Sequence, residues 1–98
     1  MSATPADDPT ILRVRREISD VDVRLVELVN RRLTLVSRLK RYKDERGIGF
    51  VDLAREEWML RYLRRANRGP LTEQGLEELY HLLLDLTKRE VVAHDDAD

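Results

Sequence analysis

A stripe of apolar residues at heptad spacing runs through the first half of the chain, and one charged residue interrupts it. Alternating steps of three and four define the stripe, whose members are Ile11, Val14, Ile18, Val21, Leu25, Leu28, Arg32, Leu35, Leu39 and Tyr42. This spacing predicts one very long helix that packs side by side with other helices. Because arginine keeps its charge, leaving Arg32 unpaired in an apolar seam would be costly, so we expect a negative group to meet it there.

The length of the chain favours a single domain that a partner chain would stabilise, and its charge limits the kinds of partner. The sequence has 98 residues and a formal net charge of −1, from 18 basic and 19 acidic residues. A chain this short buries only about 60–65% of its unfolded surface, so a homodimer would enlarge its core. The nearly balanced charge argues against binding to nucleic acid or to membranes.

Composition also limits the chemistry and the location. There is no cysteine, and His81 and His94 are isolated, so we predict no thiolate nucleophile, no metal site and no cofactor. The first ten residues lack the basic and apolar regions of a signal peptide, and no run of about 18 apolar residues occurs. We therefore predict a cytoplasmic protein.

Periodicity and stop signals predict three helices and no strand. The first begins near Pro9 or Thr10 and ends at about residue 46, before two glycines. Asp52 is a good N-cap for the second helix, and Thr72 caps the third. The predicted limits are a disordered tail over 1–9, an all-α helical domain over 10–92 and an acidic disordered tail over 93–98.

Two further cations lie on the same side of the first helix as Arg32. Arg15 and Lys43 belong to a row that flanks the stripe, where solvated rim charges are also common. Arg15 lies roughly 25 Å from Arg32 along the axis, and Lys43 roughly 16 Å from it. Long side chains can close only the shorter gap, so Arg15 would serve the Arg32 pocket from a second, antiparallel copy of the chain. Arginine forks suit carboxylates, which suggests a small, multiply anionic ligand.

The second helix adds charges near its positive N-terminus, namely Asp52, Arg55 and Glu56. They are either a cap with ordinary surface charge or a set in which a carboxylate accepts a hydrogen bond from a ligand hydroxyl. Trp58 and Tyr62, on the same helix, are either core or an exposed docking patch. Aromatic residues at helical spacing usually pack, which favours the core.

At these residues the chain resembles the all-helical chorismate mutase family, whose members are intertwined dimers that convert chorismate into prephenate. The resemblance covers about residues 11–92. It rests on charged positions that match the family in type and spacing without a gap, namely Arg15, Arg32, Lys43, Asp52, Arg55 and Glu56. The implied fold is an intertwined helical homodimer of three-helix chains.

The resemblance also implies roles for these residues. Arg32 and the Arg15 of the other subunit would pair with the two carboxylates of chorismate, and Lys43 would reach the ether oxygen and a carboxylate. On the second helix, Arg55 would support the anionic end of the substrate, and Glu56 with Asp52 would orient its ring hydroxyl.

The third helix departs from the family pattern. Family members carry a small or hydroxyl residue there and, four residues later, a Gln or Glu that hydrogen-bonds the ether oxygen. A gap-free match places Thr87 at the first position and Val91 at the second. Valine has no hydrogen-bonding side chain, so Glu90 is the alternative at a one-residue offset, and it would have to be protonated to donate.

The expected function is therefore chorismate mutase, in phenylalanine and tyrosine biosynthesis. This Claisen rearrangement is intramolecular, so it needs positioning and charge stabilisation rather than a nucleophile. The alternatives are a 4-amino-4-deoxychorismate mutase, an isochorismate pyruvate lyase, or a non-catalytic helical dimer that senses a metabolite or docks on a partner enzyme. A carboxylate at Glu56 suits a ring amine as well as a hydroxyl, so the sequence leaves these siblings open, together with a possible partner enzyme of the aromatic pathway.

Overall fold

The computed structural model describes residues 8–97, and of 93–97 the backbone only. Three helices occupy this range, α1 over Pro9–Glu45, α2 over Leu53–Ala66 and α3 over Glu73–Ala97. No strand occurs among the described residues, so the predicted all-α fold with three helices is confirmed. Residues 1–7 of the predicted N-terminal tail lie outside the described residues. None of the described helices has the length and apolar character needed to cross a bilayer.

Helix α1 begins and ends at signals that the sequence carries. The Asp8 carboxylate accepts hydrogen bonds from two backbone amides of the first turn, at 2.8 and 3.3 Å, and Pro9 takes the first helical position. At the other end Gly47 has a φ of 66°, and the Ile48 amide donates to the Lys43 carbonyl at 2.8 Å. This closing turn needs a left-handed residue, which glycine supplies without strain.

The caps predicted for the other two helices are present. The Asp52 carboxylate accepts a hydrogen bond from the Arg55 amide at 3.0 Å, and the Thr72 hydroxyl accepts one from the Gly75 amide at 3.0 Å. Each cap satisfies an amide that has no partner within its helix.

Two ion pairs between α2 and α3 set their relative direction. Glu56, in the first turn of α2, lies 3.1 Å from Lys88, and Arg64, in its last turn, lies 3.5 Å from Glu77. The start of α2 therefore faces a late turn of α3, and the two helices are antiparallel.

The described chain divides into two compact units, one ending at Thr34 and the other beginning at Leu35. The second unit has a buried core on α3, where α3 packs against α2. Its members are at most 7% exposed and are Leu76, Tyr80, Thr87 and Val91. Their spacing places them on one face of the helix, as expected for an amphipathic helix that packs on a neighbour.

The first unit is a single helical segment without a buried side chain among its described residues. Five of its apolar heptad positions are 44–63% exposed, namely Val14, Ile18, Val21, Leu25 and Leu28, whereas Ile11 is half-buried. Helices in water owe most of their stability to packing of an apolar face. The predicted stripe is therefore an uncovered apolar surface in one copy of the chain.

Helix α3 ends later than the sequence predicts. Its backbone is helical through Ala97, whereas the predicted boundary lies at residue 92 and disorder was expected over 93–98. The acidic end disfavours a helix C-terminus, but no glycine or proline follows residue 92 to stop the helix. Asp98 lies outside the described residues.

Candidate active site

Two exposed residues of the predicted site lie at the start of α2, the N-cap Asp52 and Arg55 in the first turn. One oxygen of Asp52 caps the helix, and a carboxylate has a second oxygen that can accept from a ligand. The Arg55 guanidinium lies 4.5 Å from the centre of the Trp58 ring, a cation–π contact. Capping by Asp52 is thus compatible with a ligand role.

Glu56 is directed at α3. Its side chain is 21% exposed, and its Oε1 lies 3.1 Å from Nζ of Lys88, whose side chain is 38% exposed. The Glu56 side chain is thus better shielded from solvent than the Lys88 side chain. This ion pair places a cation beside the carboxylate that, by the family resemblance, would orient a substrate hydroxyl.

Lys88 is a candidate site residue that the sequence reasoning missed. The sequence signal for Lys88 is the order of opposite charges along the two helices. Glu56 can pair with Lys88, and Arg64 with Glu77, only if α2 and α3 run antiparallel. Helix periodicity alone does not reveal such a pairing, because it depends on the register between two separate helices.

The third-helix positions differ from one another in burial. The Thr87 side chain is buried, and its hydroxyl donates to the Leu83 carbonyl at 2.6 Å. Val91 is fully buried, whereas Glu90 is half-buried. Val91 thus belongs to the hydrophobic core, and Glu90 keeps contact with solvent.

Lys43 lies at the end of α1, within the second unit. Its side chain is half-buried, and its Nζ lies 3.5 Å from the Phe50 carbonyl, at the outer limit of a hydrogen bond. Its own carbonyl closes α1 by accepting from Ile48. The loop after α1 therefore contacts both the backbone carbonyl and the ammonium group of Lys43.

Arg15 and Arg32 both lie in the first unit. Arg15 is exposed and Arg32 is half-buried. Because α1 is continuous between them, their separation along the axis is about 25 Å, as expected from the sequence. Within one helix the two guanidinium groups cannot hold the same small ligand.

Trp58 and Tyr62 are not part of the buried core of a single chain, so the favoured core interpretation is not confirmed. They are 45% and 54% exposed, and their rings stack on each other with centroids 5.3 Å apart. With Arg61 and Arg65 they line an open groove on α2. Each ring covers part of the other, which removes apolar area from water without using the core.

Each unit, taken by itself, offers cations that can pair with carboxylates. They are Arg15 and Arg32 in the first unit and Lys43, Arg55 and Lys88 in the second. Asp52 and Glu56 offer acceptors for a hydroxyl. Charge-assisted hydrogen bonds from such cations are suited to carboxylate groups.

Comparison with known proteins identifies the class. The family model for chorismate mutase type II matches residues 14–91, a range that includes every predicted site residue. The chain therefore belongs to the chorismate mutase type II family and is an isomerase of this class.

Among solved structures, the chorismate mutase (form I) from Thermus thermophilus is similar to this chain. The two have a TM-score of 0.78 and 29% sequence identity, over 80% of this chain and 98% of that chain. A search of curated proteins found no match. The similarity supports the all-helical fold and the family.

Proposed function

We propose that this chain catalyses the Claisen rearrangement of chorismate to prephenate, in the cytoplasm, for phenylalanine and tyrosine biosynthesis. One observation carries the proposal: the charged set predicted from the sequence, from Arg15 to Glu90, lies wholly within the range that matches the chorismate mutase family. The range contains cations for the two carboxylates of chorismate and acceptors for its ring hydroxyl.

The cations would do most of the catalytic work. Arg32 and the Arg15 of a second copy bind one carboxylate each and hold the substrate in its compact reactive conformer. Lys43 points its ammonium group at the ether oxygen, on which negative charge grows as the carbon–oxygen bond breaks. An interaction that strengthens in this way lowers the barrier rather than merely binding the substrate.

The residues of α2 and α3 would orient the ring. Glu56 accepts the hydrogen bond that the ring hydroxyl donates and, with Asp52 beside it, orients that hydroxyl. Arg55 leaves the face of Trp58 to support the anionic end. On α3 we assign the ether-oxygen contact to Glu90, because Val91 is fully buried and has no hydrogen-bonding side chain. Thr87 lies one turn before Val91 and lines the same wall.

We further propose that the active unit is an antiparallel homodimer with two shared sites. The uncovered apolar stripe of α1 supports this assembly, since a second copy of the same stripe would bury it. A two-fold axis would bring Arg15 of one copy beside Arg32 of the other and would repeat the arrangement at the second site.

A partner enzyme of the aromatic pathway remains a prediction. The exposed groove formed by Trp58, Tyr62, Arg61 and Arg65 is the surface that we would assign to it, because aromatic and arginine side chains are enriched at protein interfaces.

The decisive experiment follows the loss of chorismate absorbance with purified protein, beside isochorismate and 4-amino-4-deoxychorismate. We expect prephenate from chorismate and a loss of about 100- to 1,000-fold in kcat for Arg32→Ala with helicity retained, as for removal of a transition-state donor. Arg31→Ala is the matched control, because Arg31 is adjacent, exposed and off the stripe.

The result that would reject the proposal is a folded, dimeric protein that leaves chorismate untouched. Turnover of isochorismate or of the amino analogue alone would reassign the chain to a sibling activity. Equal activity of the Arg32→Ala and Arg31→Ala variants would mean that the pocket is misplaced.

A further inference from the structure

Lys88 is a charged residue of α3 that the proposed mechanism does not use. It follows the buried Thr87, and its ammonium group lies 3.1 Å from a carboxylate oxygen of Glu56. In the proposed function Glu56 receives the ring substituent of the substrate. Lys88 therefore contacts the side chain that, in the proposed function, binds the ring substituent by which chorismate differs from its amino analogue.

The charge of Lys88 changes what Glu56 can select. A lone carboxylate accepts a hydrogen bond from a hydroxyl, and it attracts a protonated amine more strongly because opposite charges add to the hydrogen bond. With Lys88 beside it, the carboxylate already has a counter-charge. An incoming ammonium group would then face a like charge within a few ångströms, whereas a neutral hydroxyl would not.

Because the ion pair is partly buried, the charge of Lys88 can act on a ligand bound beside Glu56. The Glu56 side chain is 21% exposed, so its field is screened less than that of a fully solvated pair. Lysine carries three N–H donors, so an ammonium group that faces Glu56 can also donate to another acceptor, such as a hydroxyl oxygen. A hydroxyl can donate to Glu56 and accept from Lys88, but an ammonium group can only donate.

We propose that Lys88 is a specificity-determining residue that, paired with Glu56, makes the site select a ring hydroxyl over a ring amine. The proposal rests on the proposed function, since it takes Glu56 to contact the ring substituent. It assigns the substrate as chorismate rather than 4-amino-4-deoxychorismate, a choice that the sequence leaves open.

The test measures kcat/KM for both substrates with the wild type, Lys88→Gln, Lys88→Arg and Arg89→Gln. Glutamine can still donate a hydrogen bond to Glu56, so Lys88→Gln removes the charge and retains the contact. We expect it to raise the ratio of the amine to the hydroxyl substrate about tenfold, the scale of one partly screened charge at this distance. Lys88→Arg keeps the cation and should keep the wild-type ratio.

Arg89→Gln is the matched control, because Arg89 is the next residue, exposed and of the same charge. It should leave the ratio unchanged. A purely structural role for Lys88 would change the rates with both substrates equally, so the ratio separates specificity from stability.

The outcomes distinguish this inference from the proposed function. Turnover of chorismate by the wild type with an unchanged ratio in Lys88→Gln overturns the role of Lys88 and leaves the mutase proposal standing. A shift of equal size in Arg89→Gln overturns it too, since the effect would then belong to net charge. If the wild type does not convert chorismate, the proposed function fails and the role of Lys88 fails with it.

Discussion

The two units of the chain differ in whether they bury apolar residues within one chain. In the second unit α3 buries Leu76, Tyr80 and Val91 within the same chain. In the first unit the valines, leucines and isoleucine of the heptad stripe remain about half-exposed. The second unit thus builds a core of its own, whereas the first unit presents an apolar stripe that a second copy would cover in the proposed dimer.

The strongest test of this contrast mixes two inactive variants. Arg15→Ala and Arg32→Ala chains should each lose about 100- to 1,000-fold in kcat, as for a lost transition-state donor. After subunit exchange, half of the dimers would carry one intact site, and the mixture should regain about a quarter of wild-type activity. Exchange is verified by mass spectrometry of differently tagged chains. Persistent inactivity of exchanged dimers would place both arginines outside a shared site.

A second test compares two valines of α1 that are equally exposed in one chain. Val21 lies on the stripe at 63% exposure, and Val23 lies off it at 58%. A charge buried in a dimer seam is costly, so Val21→Asp should destabilise the assembly by about 3 kcal/mol. For a dimer of this size, that corresponds to a fall in Tm of about 6–12 °C.

Val23→Asp should change Tm by only a few degrees, because the same substitution stays in water. Circular dichroism melts and sedimentation velocity measure both effects. Equal behaviour of the two variants would mean that no partner covers the stripe.

The third test addresses the core of the second unit with two neighbouring residues. Val91 is fully buried and Val92 is 46% exposed. Val91→Ala leaves a cavity and should lower the free energy of unfolding by about 2 kcal/mol. Val92→Ala should change it by about 0.5 kcal/mol or less. Chemical denaturation measures the difference, and similar values would argue that α3 does not bury this face.

The smallest effect concerns the start of α1. Asp8→Ala removes the side-chain oxygen that caps the helix and should cost about 1 kcal/mol of stability. Asp8→Asn retains an acceptor and should be nearly neutral. If the two variants melt together well below the wild type, the charge of Asp8 rather than its capping bond supports the first unit.

The features that the sequence predicted correctly are local ones. The ends of α1 and the caps Asp52 and Thr72 follow from the conformational and hydrogen-bonding preferences of a few neighbouring residues. The charged set rests on helix periodicity and on the family pattern, and the family is confirmed. Roles of individual residues at the site stay predictions.

The features that the sequence did not predict depend on contacts between helices. Lys88 meets Glu56 only through the antiparallel register of α2 and α3. Trp58 and Tyr62 have the spacing of core residues, but they stack on each other and stay exposed. Periodicity shows that a side chain shares a face with its neighbours and does not show what that face meets.

The contact between Arg55 and Trp58 gives this protein an intrinsic optical signal. Trp58 is the single tryptophan of the chain, so its fluorescence reports one location without interference from other indoles. The Arg55 guanidinium lies 4.5 Å from the ring, and in the proposed mechanism it moves to an anionic ligand. Ligand binding would then be recorded directly as a change in emission, without a dye or a label.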